Sequence, residues 1–107
     1  DMILISDHIL QTNVYIYVKI IGALLTEDEK GKDAKIICVP SDDVDINSIN
    51  INDLCDISDD ILKKIEFFFE NYKKLDKNKF TKIDKFINKK EAINLYNESK
   101  QLYKIKN

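Results

Sequence analysis

The chain has no tryptophan and no arginine, and only one histidine, one proline, two glycines and two cysteines among 107 residues. Each scarcity removes a class of function. Cys38 and Cys55 have no C-x-x-C spacing and no histidine companion, so they form neither a zinc pattern nor a disulfide framework. They read as two reduced, partly buried thiols of a cytosolic protein. His8, the single histidine, falls in a predicted loop, where a surface or packing role outweighs catalysis. The lack of arginine counts against nucleic-acid recognition, as does the absence of any RNP- or KH-type motif. No apolar run approaches the roughly 20 residues of a membrane helix. No secretory signal is visible, although the chain begins at Asp1, so an N-terminal address is not readable.

What is present reads as one small globular domain over residues 1–107. The hydrophobic fraction is 44%, ordinary for a folded protein. A chain of this size buries roughly two thirds of its unfolded surface, so its core is modest. All 17 basic residues are lysine, and isoleucine and asparagine are also heavily used, a bias of AT-rich coding rather than of chemistry. The net charge of −2 conceals an asymmetry. Residues 1–72 hold fifteen acids against six lysines, a net of −9, whereas residues 73–90 hold eight lysines against Asp76 and Asp84, a net of +6.

Residues 14–25 are rich in β-branched and aromatic side chains and predict a long strand. Gly22 inside it predicts a bulge or a close backbone approach. A turn at 29–32 leads to a return strand over 34–39, closed by Pro40. Residues 41–56 are polar and acidic and read as an irregular connection. Asp43-Val44-Asp45-Ile46-Asn47 within it is no calcium loop, since Ser48 and Leu54 stand where an EF-hand needs glycine and glutamate. Ser58 is an N-cap for a helix over about 59–73, with Asp59 and Asp60 in its first turn. Its apolar stripe is Ile61, Leu62, Ile65, Phe68, Phe69 and Tyr72. Residues 80–86 predict a short strand. A second helix starts at Asn88, where Glu91 completes a capping-box-like pair, and buries Ala92, Leu95, Tyr96, Leu102 and Tyr103.

The stretch Asp28-Glu29-Lys30-Gly31-Lys32-Asp33-Ala34-Lys35 carries the chemistry. Asp28 and Asp33 can converge across the turn with the Lys35 ammonium close by. Carboxylate oxygens suit a hard divalent cation such as Mg²⁺, and a lysine suits a phosphate bound to it. On composition alone, an acidic hairpin turn facing water is the favoured reading.

These residues resemble the C-terminal part of a soluble family I inorganic pyrophosphatase. Ile21-Gly22-Ala23-Leu24, then Asp28 to Lys35 and Val39-Pro40, is similar to the family's strand–turn–strand with D-E-x-G-x-D-x-K. Phe68-Phe69-Glu70-Asn71-Tyr72-Lys73, then Leu75, Lys77 and Lys79-Phe80, resembles F-F-E-x-Y-K-x-L-x-K-x-K-W, at the right separation. Phe80 and Phe86 stand where many members have tryptophan, and Asn78 and Lys85 where glycine is usual. Asp1 matches the last aspartate of the signature D-x-D-P-x-D, followed by Met2-Ile3-Leu4 as an apolar strand. What precedes it in the family has no counterpart here, so the chain is expected to be an N-terminally truncated piece of a longer protein.

The resemblance implies an α+β fold, part of a small twisted OB-like β-barrel with two helices packed outside. It implies Mg²⁺-dependent hydrolysis of inorganic pyrophosphate to two orthophosphates, with several Mg²⁺ ions per site. Asp1, Asp28 and Asp33 would be metal ligands. Lys35, Tyr72 and Lys73 would bind the substrate phosphates. No residue is assigned a catalytic role. Tyr72 also fits the apolar stripe of its helix, and Lys73 also fits a solvated cation at the helix C-terminus. The intact protein is expected in the cytoplasm as a homohexamer, with no nucleic-acid or membrane partner. The chain by itself is expected to be unstable or to self-associate, and to hydrolyse little. Two other readings stand beside this one: a non-catalytic remnant of the same family, and a nucleic-acid-binding module built on the lysine-rich stretch 73–90 with Phe80 and Phe86 interleaved.

Overall fold

A computed structural model describes residues 2–6, 16–73 and 78–106, of which 101–106 are described by backbone alone. Asp1, His8, Val14, Tyr15, Leu75 and Lys77, and the side chains of Leu102 and Tyr103, lie outside this description. In chain order the elements are β1 (Met2–Leu4), β2 (Val18–Asp28), β3 (Gly31–Pro40), α1 (Asp59–Asn71), β4 (Thr81–Asn88) and α2 (Lys89–Lys106). The strands form one mixed sheet in the order β1-β3-β2-β4. β1 runs parallel to β3, and β2 runs antiparallel to both β3 and β4. The architecture is α+β, an open sheet carrying two helices.

Strand β2 differs from the predicted range 14–25, of which Val14 and Tyr15 lie outside the described residues. It begins at Val18 and continues through Thr26 and Glu27 to Asp28. These polar residues extend the strand because β2 has a partner on each edge, so their backbone groups are bonded on both sides. The chain reverses through Glu29 and Lys30, with Asp28 paired to Gly31, whose φ of 119° is a conformation that favours glycine. β3 correspondingly starts at the turn itself, and β4 is shifted from the predicted 80–86 to Thr81–Asn88.

The expected bulge is present between Ile20 and Gly22. It lets Ile21 pack on one sheet face while Ala23 packs on the other. A second irregularity between Leu25 and Thr26, on the β4 side, keeps Phe86 and Ile83 on the face of Leu24. One core layer comprises Ile21, Leu24, Ile37, Val39, Leu54 and Ile57, capped by Leu62, Ile65 and Phe69 of α1. The opposite layer comprises Ala23, Ile36 and Ile87, closed by Ala92 and Leu95 of α2. Phe86 is thus a packing residue, and Phe80 is exposed.

Helix α1 is capped as the sequence predicts, with Ser58 Oγ accepting from the Ile61 amide at 3.4 Å. At α2, Asn88 Oδ1 accepts from the Glu91 amide at 3.0 Å. The 41–56 connection is more ordered than its composition predicts, because its acids bind backbone amides. It holds two 3₁₀ turns, Ile46–Ser48 and Leu54–Asp56, the second closed by an Asp53/Asp56 capping box. Lys19 Nζ ties it to the sheet, donating to Asp42 Oδ1 (2.7 Å), the Ser48 carbonyl (2.6 Å) and Asn52 Oδ1 (3.2 Å). Of the two free thiols, Cys38 is buried, which pushes its pKa up, whereas Cys55 is exposed rather than partly buried. Among the described residues no helix is long and apolar enough to cross a membrane.

Gly22 also makes a close approach. A Cβ there would stand 2.8 Å from the Ile87 carbonyl oxygen and 2.9 Å from Leu54 Cδ1. Gly22→Ala must therefore push β4 or the 3₁₀ turn outward, costing about 1–3 kcal/mol. A thermal midpoint lowered by several degrees is expected, and an unchanged midpoint would contradict the contact.

Candidate functional site

The β2–β3 register decides which side chains share a face. Thr26 pairs with Asp33 and Leu24 with Lys35, so Leu24, Thr26, Asp28, Asp33 and Lys35 all project to one side of the sheet. That side is the α1 side, where Ile37 and Val39 pack. The site is therefore the polar continuation of the core, at the hairpin end of the sheet. The end of α1 brings Phe69, Tyr72 and Lys73 to the same place.

Two ion-pair groups form there. Lys73 Nζ lies 3.2 Å from Asp28 Oδ2 and 3.4 Å from Glu29 Oε1. Lys35 Nζ lies 3.1 Å from Asp33 Oδ2. Lys35 is 6% exposed, an unusual burial for a lysine, and its ammonium sits 5.0 Å from the centroid of the Phe69 ring. Asp28 Oδ1 accepts from the Lys30 amide at 2.8 Å, and Glu29 Oε2 from the Phe80 amide at 3.4 Å. Thr81, the β4 partner of Asp28, has a buried hydroxyl with no hydrogen-bond partner among the described residues.

The charges of these groups follow from their contacts. The Lys30 amide, then the Lys73 ammonium, hold the Asp28 carboxyl below its ordinary value of 3.8. Glu29 is lowered by its own backbone amide, with further help from the Phe80 amide and Lys73. For Lys73, partial burial acts downward, but the hydrogen bonds to Asp28 and Glu29 outweigh it and raise the pKa. Both carboxylates and the ammonium are charged at neutral pH.

Of the residues singled out in the sequence, five are described here and Asp1 is not. Asp28 and Asp33 share a face, and each is bound to a lysine. Among the described residues no three histidine, cysteine or acidic side chains converge to hold a metal ion. The donor chemistry of Asp28 and Asp33 fits a hard cation, and the set becomes complete only with ligands beyond them. Lys73 is no free helix-terminal cation: it bridges α1's end to the hairpin. Tyr72 is 44% exposed, so its ring is less buried than the stripe implied, and it stacks on Phe68 at 5.6 Å. Glu29, expected as a plain turn residue, belongs to the site. Its pairing with Lys73 spans 44 positions and left no local signal in the sequence.

The sheet and its helices define the class first, an α+β protein with an OB-like fold. Residues 1–104 match the family "Inorganic pyrophosphatase". The chain is 42% identical to an inorganic pyrophosphatase of Nanoarchaeum equitans, covering 97% of this chain and 65% of that protein. It is 36% identical to one of Helicobacter pylori, covering 96% of this chain and 60% of that protein. The solved Helicobacter pylori inorganic pyrophosphatase superposes with a TM-score of 0.92 at 35% identity, over 96% of this chain and 61% of that one. A Neisseria gonorrhoeae inorganic pyrophosphatase superposes with a TM-score of 0.86 at 32% identity, over 96% and 59%. The chain belongs to the family I inorganic pyrophosphatases, as its motifs indicated, and spans about two thirds or less of the length of these relatives.

The lowered pKa of Asp28 has a sign that can be checked. Its stabilising contribution is fully present above the ordinary carboxylate value and is lost as pH falls through the lowered native value. Lys73→Met removes one cause and leaves the Lys30 amide. The Asp28 titration midpoint, read from its carboxyl carbon by NMR, should then rise towards 3.8 without reaching it, and Glu29 should rise with it. An unmoved midpoint for both would show that the ion pairs do not form in solution.

Proposed function

We propose that the protein this chain belongs to hydrolyses inorganic pyrophosphate to two orthophosphates with Mg²⁺, as a cytoplasmic homohexamer. The observation that carries the reading is the pairing of two lysines with the hairpin carboxylates on one face, in a chain of this family. Asp28 and Asp33, joined by Asp1, are the residues to hold Mg²⁺ ions. When bound, Mg²⁺ would screen the charge of the anionic substrate and make a nearby water more acidic.

The chain's own groups supply the rest. An ammonium carries three donors, so Lys35 and Lys73 can bind a phosphate oxygen while keeping a carboxylate contact. The carboxylates hold the lysines in place on the face where a phosphate would bind. Tyr72 adds one directed hydroxyl donor at the end of α1. The apolar floor made by Leu24 and Phe69 keeps bulk water from one side, which strengthens each charge interaction above it.

The test uses the full-length protein, including whatever is encoded upstream of Asp1. Orthophosphate release from pyrophosphate should require Mg²⁺ and stop on adding a chelator. Asp33→Ala should lower kcat/KM by about a hundredfold or more, the scale of several kcal/mol of metal-borne charge stabilisation. The 107-residue chain alone should show little turnover. A full-length protein that releases no phosphate with Mg²⁺ would make the chain a non-catalytic remnant of its family.

A further inference from the structure

We propose that Phe69 is a positioning residue for Lys35, its ring holding the ammonium in place for a phosphate group without neutralising it. The inference rests on the reading of this face as a pyrophosphate site. Lys35 Nζ lies 5.0 Å from the Phe69 centroid and 3.1 Å from Asp33 Oδ2, on a residue that is 6% exposed. A buried lysine stem with a ring beneath its ammonium is held by the negative face of the π-system. A second carboxylate in that place would hold the ammonium equally well, but it would also repel an incoming polyanion. The ring attracts the cation and presents no negative charge to the ligand.

Phe69 is itself fixed by its neighbours. It meets Phe68 edge to face at 5.0 Å and 89°, and Tyr72 at 5.5 Å and 82°. Tyr72 in turn stacks on Phe68 and carries Lys73 Nζ 5.6 Å from its centroid. One aromatic cluster at the end of α1 therefore lies under both lysines. It sets where the two ammoniums stand relative to each other, which matters for a ligand with two phosphoryl groups. Phe69 also packs on the core, so a pure packing role is the reading to be separated from this one.

The test compares Phe69→Leu, which keeps an apolar side chain of similar reach, with Phe69→Tyr, which keeps the ring. Both are made in the full-length protein and in a Lys35→Met background. Imidodiphosphate, which resists hydrolysis, serves as the binding probe beside pyrophosphate kinetics. Phe69→Leu should raise Kd and KM about three- to tenfold and leave kcat within about twofold. The Lys35 ε-methylene protons, shifted upfield by the ring, should move downfield. Phe69→Tyr should restore all of these. In the Lys35→Met background Phe69→Leu should change neither constant. An unchanged Kd and proton shift, or an equal effect without Lys35, would overturn the proposal and leave Phe69 a packing residue. A parent protein that binds imidodiphosphate but turns over no pyrophosphate would defeat the hydrolase reading while the Kd ratio still decides Phe69. A parent that binds neither would defeat both.

Discussion

Every functional placement in this fold depends on the register of strands β2 and β3. Asp28 is paired with Gly31, and from that fixed point the ladder sets Thr26 against Asp33 and Leu24 against Lys35. Side chains alternate across a strand, so a slip of one residue would send Asp33 and Lys35 to the α2 face, away from Asp28 and Lys73. Two features prevent the slip. The tight turn needs a residue at positive φ, which only Gly31 in this stretch adopts without strain. The core also needs Ile37 and Val39 on the α1 side, where they pack with Ile21 and Leu24. Turn chemistry and hydrophobic burial therefore demand the same register that the site demands.

The polar end of that face is organised by contacts that do little for stability. The Lys73 pairs lie near solvent, where the Coulomb gain is offset by the entropy of fixing long side chains. Their value is geometric: Asp28 and Glu29 hold the Lys73 ammonium between hairpin and helix. Lys35 differs, because its side chain is nearly buried and its surroundings include an aromatic ring. Removing its charge partners would be costly there, since a buried cation without compensation is strongly disfavoured. The two lysines thus reach the same site by different means, one held between two half-buried carboxylates and the other largely by its own burial beside a more exposed one.

How much of this was legible in the sequence differs by element. The Ser58 cap, the bulge at Gly22 and the glycine turn all carry local signals, and each is found where those signals put it; of the α1 stripe, Leu62, Ile65 and Phe69 pack on the core while Ile61, Phe68 and Tyr72 are exposed. Strand ends were less readable. Thr26, Glu27 and Asp28 look like loop residues until β4 supplies a second edge, and that edge is contributed by residues more than fifty positions away. The acidic connection looked irregular because the amides that its aspartates cap are invisible without coordinates. In the site, Asp28, Asp33 and Lys35 fall within one motif and were found together. Glu29 and Phe69 were not, because their roles are defined by contacts with Lys73 and Lys35 across the fold.

The uneven charge of the chain acquires a structural meaning in the same way. The acid-rich segment contains β2 and its hairpin turn, and the lysine-rich segment begins at Lys73 and continues through β4. Folding lays the second against the first: Lys82 pairs opposite Glu27 on the sheet, and Lys73 reaches Asp28 and Glu29. In an extended chain these groups are far apart and screened, because the Debye length is about 8 Å at physiological salt. Opposite charges segregated along the sequence favour contacts between distant segments over local ones. Had acids and lysines alternated, many would have found partners within a turn or two, and the hairpin carboxylates would not depend on α1 to supply their cation. Asp33 and Lys35 meet locally, two positions apart, whereas the segregation couples the Lys73 half of the site to docking of α1, so that Lys73 meets Asp28 and Glu29 only in the folded chain.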